Sequence, residues 1–277
     1  MNKLAFPLNY FSQILTPKRA FRGRKSLTKF QIIIIFLFTT SLLLIPVTIN
    51  LAQSKNFNLA EIMPATFALI DEEVLTNIQS SDLNNGELAN QATTYFNQEK
   101  TVGTNLSQAD LDHSANAISF NRREMYLKDS SGYDFKVSYT KDFSPSQLTS
   151  VASLKAEISS QWLKQNRAFV TFTLILMSGG LILVSNLILV FGGAVFIYLS
   201  KKSAYSSISS YQESVNLMLN GIGLGSFVSL LVGLIFYDMT VVLSVQSLGL
   251  VAMLLAIFMT TRFNDDYAKT SLQTVRK

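Results

Sequence analysis

Four long runs of apolar residues constrain the fold more than any other feature of the chain. None contains an Asp, Glu, Lys, Arg or His, and they cover residues 30–52, 168–199, 216–237 and 240–261. Each is long enough to cross the hydrocarbon core of a bilayer, about 30 Å thick, as a helix. Hydrophobic residues make up 48% of the 277 positions and charged residues 15%, a balance typical of membrane proteins. We expect a mainly α membrane protein with four transmembrane helices.

Basic residues beside the first run predict its orientation. The N-terminal segment, residues 1–29, holds seven basic residues and no acidic one, as expected of a cytoplasmic flank. A cleaved signal peptide is disfavoured, because the basic stretch is long and residues 50–52 lack the pattern of small residues that precedes cleavage. We therefore expect a retained helix at 30–52 with the N-terminus inside.

The run at 168–199 is ambiguous in length. As one helix it would be roughly 48 Å long, whereas two crossings would each be too short. One crossing keeps Lys201 and Lys202 inside, together with the basic residues of the tail at 262–277, which favours it. We expect one long helix, tilted or flexed at Gly179-Gly180 or Gly192-Gly193. The C-terminus is then inside, after a transmembrane hairpin at 216–261 with a short turn at 237–239.

Residues 53–167 have the patterns of a small extracytoplasmic α+β domain, and their acidic residues outnumber the basic ones. Alternation from Tyr133 to Tyr139 predicts a half-buried strand, with partner strands at 118–120 and 125–127 across a turn at 129–132. Ser144-Pro145 predicts the start of a helix that could run directly into the second apolar run. Residues 59–98 look helical, with a break at the turn signal Asn84-Asn85-Gly86.

The stretch from Gly221 to Gly225 resembles a phosphate-binding loop. Its G-x-G-x-G spacing and apolar surroundings exclude one. Small residues instead recur every four positions and predict one helix face that another helix can approach closely. Packing within the chain, against the second or fourth span, is favoured over homodimerisation. This predicted helix-packing stripe comprises Gly221, Gly225, Ser229 and Gly233.

Catalytic and metal-binding patterns are weak. The chain has no cysteine, and His113 is its one histidine. Ser107 and Asp110 predict a capping box beside this histidine, and Asp71-Glu72-Glu73 suits the first turn of a helix. No nucleophile, base and orienting acid can be assembled. We expect a non-enzymatic protein without a cofactor or a metal site.

Polar residues at membrane depth bear on transport. Asn186, Asn220 and Gln246 lie within the apolar runs. Hydrogen bonds between helices explain them without a substrate, and the lack of ionisable residues in the runs counts against proton-coupled transport. The alternative is that the three line a solute route between subunits.

A cluster of basic residues follows a short apolar stretch that includes Leu4, Tyr10 and Ile14. Together they predict an interfacial helix whose apolar side lies on the inner leaflet while its cations meet anionic lipid. Residues 200–215 form a second amphipathic segment. Membrane anchoring is favoured over protein docking for both. The net charge of +5 reflects orientation rather than nucleic-acid binding. The predicted membrane-surface residues are Lys18, Arg19, Arg22, Arg24 and Lys25.

Three stretches carry a resemblance to a known family: ILTPKRAFRGRK, AISFNRREMYLKDSSGYDFKVSYTKDF and SYQESVNLMLNGIGLGSFVSLLVGLIF. With the order of apolar runs, they resemble a domain-of-unknown-function family of Gram-positive polytopic membrane proteins, the MalA-like maltodextrin utilization family. The resemblance covers nearly the whole chain. It implies a multi-pass protein of a Gram-positive cell membrane with an accessory or regulatory role in maltodextrin uptake, and sugar-importer subunits as partners. The alternative function is an oligomeric small-solute channel or transporter component.

Overall fold

The computed structural model describes residues 5–53, 57–89, 92–99, 101–203, 205–236 and 238–269. The chain forms two compact units. The helical unit comprises Met1–Gln53 and Phe172–Lys277, and the mixed unit comprises Ser54–Thr171.

Long helices dominate the helical unit. Among the described residues, four helical stretches are long and apolar enough to cross a membrane: Lys29–Gln53, Val151–Lys202, Tyr211–Phe236 and Met239–Thr261. The unit's helices are α1 (Leu8–Gln13), α2 (Pro17–Arg22), α3 (Lys29–Gln53), α8 (Gly193–Leu199), α9 (Tyr211–Phe236), α10 (Met239–Thr261) and α11 (Asp265–Lys269). The helix α7 (Val151–Leu187) begins in the mixed unit and enters the helical unit at Phe172.

The second spanning candidate is one helical stretch, as its length and flanking charges predict. A π-helical segment, Ile188–Gly192, joins α7 to α8, so the expected irregularity at Gly192-Gly193 is present. Gly179-Gly180 instead lies inside regular α7. Of the predicted turn at 237–239, Tyr237 lies outside the described residues, and Asp238 caps α10 by accepting a hydrogen bond from the Val241 N–H at 2.9 Å.

The centre of the helical unit is α9. It packs against α3, α8 and α10, and its residues from Glu213 to Gly223 are all buried. The apolar core around it includes Tyr10, Phe21 and Leu217. The N-terminal segment is therefore part of this core.

The mixed unit is built on a five-stranded sheet in the order β3-β4-β5-β6-β7. β4 pairs parallel with β5, and the other neighbours pair antiparallel. The remaining strands, β1 and β2, form a separate hairpin. The strands are β1 (Leu83–Asn84), β2 (Glu87–Leu88), β3 (Thr94–Tyr95), β4 (Val102–Thr104), β5 (Ala117–Phe120), β6 (Glu124–Lys128) and β7 (Asp134–Ser138).

Short helices complete the mixed unit: α4 (Pro64–Ala68), α5 (Glu72–Gln79) and α6 (Gln108–His113). The strands predicted at 118–120, 125–127 and 133–139 are confirmed, with Met125 paired to Val137 and Leu127 to Phe135. The prediction of mainly helix over 59–98 is wrong beyond residue 79. There Asn85 and Gly86 take φ of 52° and 80°, the turn geometry that closes a hairpin.

The long helix does not begin at Ser144-Pro145 as predicted. That pair opens only a 3-10 turn, Pro145–Gln147. α7 begins at Val151, because Ser150 and Ser153 exchange side-chain to backbone hydrogen bonds, from Ser153 N to Ser150 Oγ at 3.2 Å and from Ser150 N to Ser153 Oγ at 3.0 Å. This reciprocal pairing satisfies N–H groups that a helix start leaves free.

Side chains of α7 cover the edge of the sheet along β7. Gln165 accepts a hydrogen bond from the Ser138 N–H at 3.2 Å and donates to the Ser138 carbonyl at 2.6 Å. Gln161 accepts from the Thr140 N–H at 2.8 Å. Unpaired edge strands invite association with other chains, and these amides occupy that edge within the unit.

Candidate functional site: an ion-pair cluster at the flank of the helical unit

A buried arginine joins three distant parts of the helical unit. The Arg24 side chain is only 1% exposed, and its Nε lies 3.1 Å from Glu213 Oε2 while an Nη lies 2.8 Å from Asp265 Oδ2. Lys25 stands farther off, 3.9 Å from Glu213 and 4.0 Å from Asp265. We call Arg24, Lys25, Glu213 and Asp265 the flank cluster.

Local structure positions the guanidinium. Gly23–Lys25 forms a 3-10 turn after α2, which directs Arg24 inward and places its guanidinium carbon 4.1 Å from the centre of the Phe21 ring. Arg24 also donates to the carbonyls of Phe21 and Ser207, at 3.2 and 3.3 Å. The buried cation is thus surrounded by carboxylates, carbonyl oxygens and an aromatic face, all groups that stabilise positive charge.

The electrostatics of the cluster favour the ionised form of Asp265. The hydrogen bond from Arg24 lowers the pKa of Asp265 below its usual value, against the opposing effect of partial burial. Glu213 is buried and lies at the start of α9, where a negative charge is favourable. Because its charges satisfy one another, the cluster is suited to holding segments together rather than to proton transfer.

The predicted membrane-surface residues divide into two groups. Arg19, Arg22 and Lys25 are exposed and Lys18 is half-buried, so these four retain surface positions. Arg22 also donates to the Ala268 carbonyl. Arg24 departs from the expectation of lipid contact, because its charge lies within protein and is paired there.

The expected interfacial helix near the N-terminus also differs from the prediction. Tyr10 and Ile14 are buried against α9 rather than exposed on one apolar face, and Tyr10 Oη donates to the Leu219 carbonyl at 2.9 Å. Gly223 permits this approach, since a Cβ there would collide with Tyr10 Oη. Leu4, also expected on that face, lies outside the described residues. The missed signal is Gly223, the middle glycine of G-x-G-x-G, which faces the N-terminal segment while Gly221 and Gly225 face α10.

The helix-packing stripe faces α10. A Cβ at Gly225 would lie 3.0 Å from the Gln246 carbonyl oxygen, and one at Gly221 would lie 3.0 Å from Leu250 Cδ1. Ser229 Oγ donates to the Val242 carbonyl. Gly233 lies against Val242 and also Pro46 of α3. All four residues therefore make their close contacts inside the chain.

The three polar residues at span depth lie in two places. Asn186 donates to Thr40 Oγ1 and Gln246 donates to Ser226 Oγ, each at 3.0 Å. Both line one crevice of about 290 Å³. Asn220 lies elsewhere, beneath the N-terminal segment, where it donates to the Ala20 carbonyl at 2.9 Å.

Aromatic residues of the mixed unit mostly serve its core. Trp162 is buried and its ring centre lies 5.1 Å from that of Phe57, while buried Tyr139 stacks on Phe143 at 5.5 Å. Tyr95 and Tyr133 are exposed. Among the residues that the structure describes, no group of three or more His, Cys, Asp or Glu could hold a metal ion.

Acidic residues of the mixed unit have structural partners. The predicted capping box of Ser107 and Asp110 is confirmed at the start of α6, and Asp71 caps α5. Asp129 is buried and accepts hydrogen bonds from Thr66 N at 2.8 Å and Ser131 Oγ at 2.6 Å. Burial alone would raise the pKa of Asp129, but the hydrogen bonds from Ser131 and Thr66 outweigh it and lower the pKa to about 2.

The fold thus has the features of one class of protein: several apolar helices compatible with membrane spans, combined with a separate α+β unit. Comparison with known proteins makes this more specific. The chain is 26% identical over 263 residues to the maltodextrose utilization protein MalA of Streptococcus pneumoniae, covering 95% of this chain and 98% of that protein. It is 20% identical over 265 residues to YvdJ of Bacillus subtilis, a protein assigned provisionally to maltodextrin utilization, covering 90% and 88%.

These two matches support a MalA-like family for the chain and confirm the resemblance that the sequence predicts. No family model matches the sequence. No solved structure matches the fold.

Proposed function

We propose that the protein is a non-enzymatic, multi-pass protein of the cell membrane that acts as an accessory or regulatory component of maltodextrin uptake. The observation that carries the proposal is the nearly full-length match to two proteins named for maltodextrin utilization. Because the match covers both units, it includes the mixed unit as well as the helices. In this proposal the mixed unit senses a ligand or docks on a partner protein, and the helical unit holds the partner complex.

The hydrogen bonds at span depth favour a scaffold over a carrier. Asn186, Asn220 and Gln246 each donate to a group of this chain, which is the behaviour of polar residues that hold helices together. The exposed cations Arg19, Arg22 and Lys25 are then available to anionic lipid of the inner leaflet. Subunits of a sugar importer are the proposed protein partners.

The proposed topology has both termini in the cytoplasm and the mixed unit outside. Since the chain has no cysteine, single substitutions give a clean test. Ser130→Cys, at an exposed site of the mixed unit, should react with a membrane-impermeant maleimide on intact cells. Lys202→Cys, at an exposed site beyond α8, should react only after lysis. The reverse labelling pattern would overturn the topology.

The functional experiment compares sugar uptake in the native host with and without the gene. Deletion should reduce the uptake of labelled maltodextrin and leave glucose uptake unchanged, and the intact gene should restore it. Crosslinking and affinity capture from membranes grown with and without maltodextrin should recover importer subunits in a sugar-dependent way. Unchanged maltodextrin uptake, or recovery of no importer subunit, would contradict the accessory role.

The second candidate is an oligomeric channel or transporter component. It is favoured by the crevice that Asn186 and Gln246 share, although Asn220 does not reach it. The helix-packing stripe is occupied within the chain, so a homo-oligomer would need another surface. Solute flux through proteoliposomes that contain only the purified protein would support this candidate, and tight vesicles would reject it.

A further inference from the structure

A cavity of about 510 Å³ lies in the helical unit where α10 ends. No residue of the flank cluster lines it, and none of the predicted site residues does. Its walls combine hydroxyl groups, aromatic rings and one guanidinium. The residues that matter for its chemistry are Ser200, Ser206, Phe258, Arg262, Phe263 and Tyr267.

An unusual backbone shapes this cavity. Arg262 and Phe263 both lie in the left-handed region, with φ of 49° and 54°, which is uncommon for residues other than glycine and is found where the surroundings impose it, often at binding sites. The Arg262 N–H ends α10 by bonding the Phe258 carbonyl at 2.7 Å, and the Phe263 carbonyl accepts from Ser207 N at 2.8 Å. The reversed chain carries Arg262 and Tyr267 onto one side, 5.2 Å from guanidinium carbon to ring centre.

The polar side chains of the cavity include hydrogen-bond donors. The hydroxyls of Ser200 and Ser206 are 3.2 Å apart. Since only one of them can donate in that bond, the accepting hydroxyl does not use its own hydrogen there. The guanidinium of Arg262 adds N–H donors in a planar fork that suits phosphate oxygens.

The charges near the cavity are predominantly positive. Lys201 and Lys202 are exposed beside Ser200. Of the two nearby carboxylates, Asp265 is bound by Arg24 at 2.8 Å, and Asp266 lies 3.9 Å from Lys269. A ligand with negatively charged oxygens fits these surroundings.

The apolar wall indicates the source of such oxygens. Phe258 is 52% exposed and the next residue, Met259, is 80% exposed, so an apolar surface of α10 leads directly away from the cavity. A free phosphate would leave this surface uncovered, whereas a phospholipid would cover it with an acyl chain. We propose that the cavity binds an anionic phospholipid, with its phosphate on Arg262 and the serine hydroxyls and an acyl chain along Phe258 and Met259.

The test measures lipid binding by the purified full chain. Native mass spectrometry and the thermal midpoint would be followed while phosphatidylglycerol, phosphatidylcholine or inorganic phosphate is added. We expect phosphatidylglycerol to bind and to raise the midpoint, with little effect of the other two. Arg262→Gln should weaken phosphatidylglycerol binding about tenfold or more, as expected for the loss of a charge-assisted contact.

Matched variants separate the site from general charge effects. Lys141→Gln removes one exposed cation of the mixed unit that does not line the cavity and should leave the affinity unchanged, while Arg262→Lys should keep most of it. If Arg262→Gln does not fold, phosphatidylglycerol binding is measured on Ser206→Ala instead, and a smaller loss of affinity is expected. Equal binding of phosphatidylcholine, equal protection by inorganic phosphate, or unchanged affinity in the cavity variant would overturn the proposal.

Discussion

The two units bury polar groups in different ways. In the mixed unit, Asp129 is satisfied largely by its own turn, through Ser131 two residues away, and by Thr66 of α4. In the helical unit, Arg24 finds its carboxylates 189 and 241 positions along the chain. Turn chemistry thus fixes local structure in the mixed unit, whereas a few polar contacts join remote segments in the helical unit.

This difference has an energetic consequence. An apolar helix bundle has few polar groups, so each buried one that loses its partner carries a large penalty. In a sheet with turns, buried polar groups are stabilised by many hydrogen bonds of about 1 kcal/mol each, so the loss of one costs less. Single substitutions should therefore have larger effects at the long-range contacts of the helical unit.

The largest effect is expected for Arg24→Gln. It leaves Glu213 buried without its close cation, which should lower the free energy of unfolding by about 3–5 kcal/mol. Lys25→Gln is the matched control, because that side chain is 56% exposed and should contribute less than about 1 kcal/mol. The thermal midpoints of the two purified variants measure this, and equal midpoints would contradict a structural role for the buried arginine.

The next effect concerns the close approach of α9 and α10. A Cβ at Gly249 would lie 2.8 Å from the Gly225 Cα, so Gly249→Ala must push two backbones apart at a cost of about 1–3 kcal/mol. Gly180→Ala is the control, since nothing lies within 4 Å of a Cβ there. A lower thermal midpoint is expected for Gly249→Ala alone, and a normal one would show that the helices can separate freely.

In the mixed unit, Asp129→Asn should cost about 1–2 kcal/mol at pH 7, allowing for solvent screening. The lowered pKa means that folding favours the carboxylate, so its contribution is present above about pH 4 and is lost as the pH falls toward about 2. Hydrogen exchange of β5 to β7 should be faster in the variant at pH 7 than in the wild type, and the difference should vanish near pH 2. Exposed Asp112→Asn should change little, and a difference that persists in acid would refute the assignment.

The smallest effect is expected at the covered sheet edge. Gln165→Ala removes both hydrogen bonds to Ser138, which should cost about 1 kcal/mol. Exchange of the Ser138 amide should accelerate. Asn166→Ala is the control, because its amide donates to the Trp162 carbonyl of its own helix. Similar exchange in both variants would mean that Gln165 does not protect the edge.

The sequence predicts the long apolar helices well because apolar length translates directly into helix. Predicted spans 30–52 and 240–261 correspond to Lys29–Gln53 and Met239–Thr261. The third helix begins earlier than predicted, at Tyr211. The predicted apolar run begins at residue 216, because Glu213 lies just before it. The helix nevertheless includes Glu213, whose charge is neutralised by Arg24.

The flank cluster could not be predicted in the same way. Its charges come from three parts of the chain with no common pattern, and a basic N-terminal segment already has a sufficient explanation in membrane orientation. The available signal is weak: Glu213 and Asp265 are two of only four acidic residues outside residues 53–167. In the mixed unit, the alternating strand pattern identifies β7, but the Ser150–Ser153 start of α7 competes with the more familiar Ser144-Pro145 pattern.

The packing of the N-terminal segment on α9 has a consequence for biosynthesis. Tyr10 bonds a residue 209 positions later, and Arg24 bonds one 241 positions later. Tyr10 and Arg24 therefore cannot make these contacts until Leu219 and Asp265 have been synthesised. Until Glu213 and Asp265 follow, the Arg24 charge lacks both of its carboxylate partners and is available to other anionic groups.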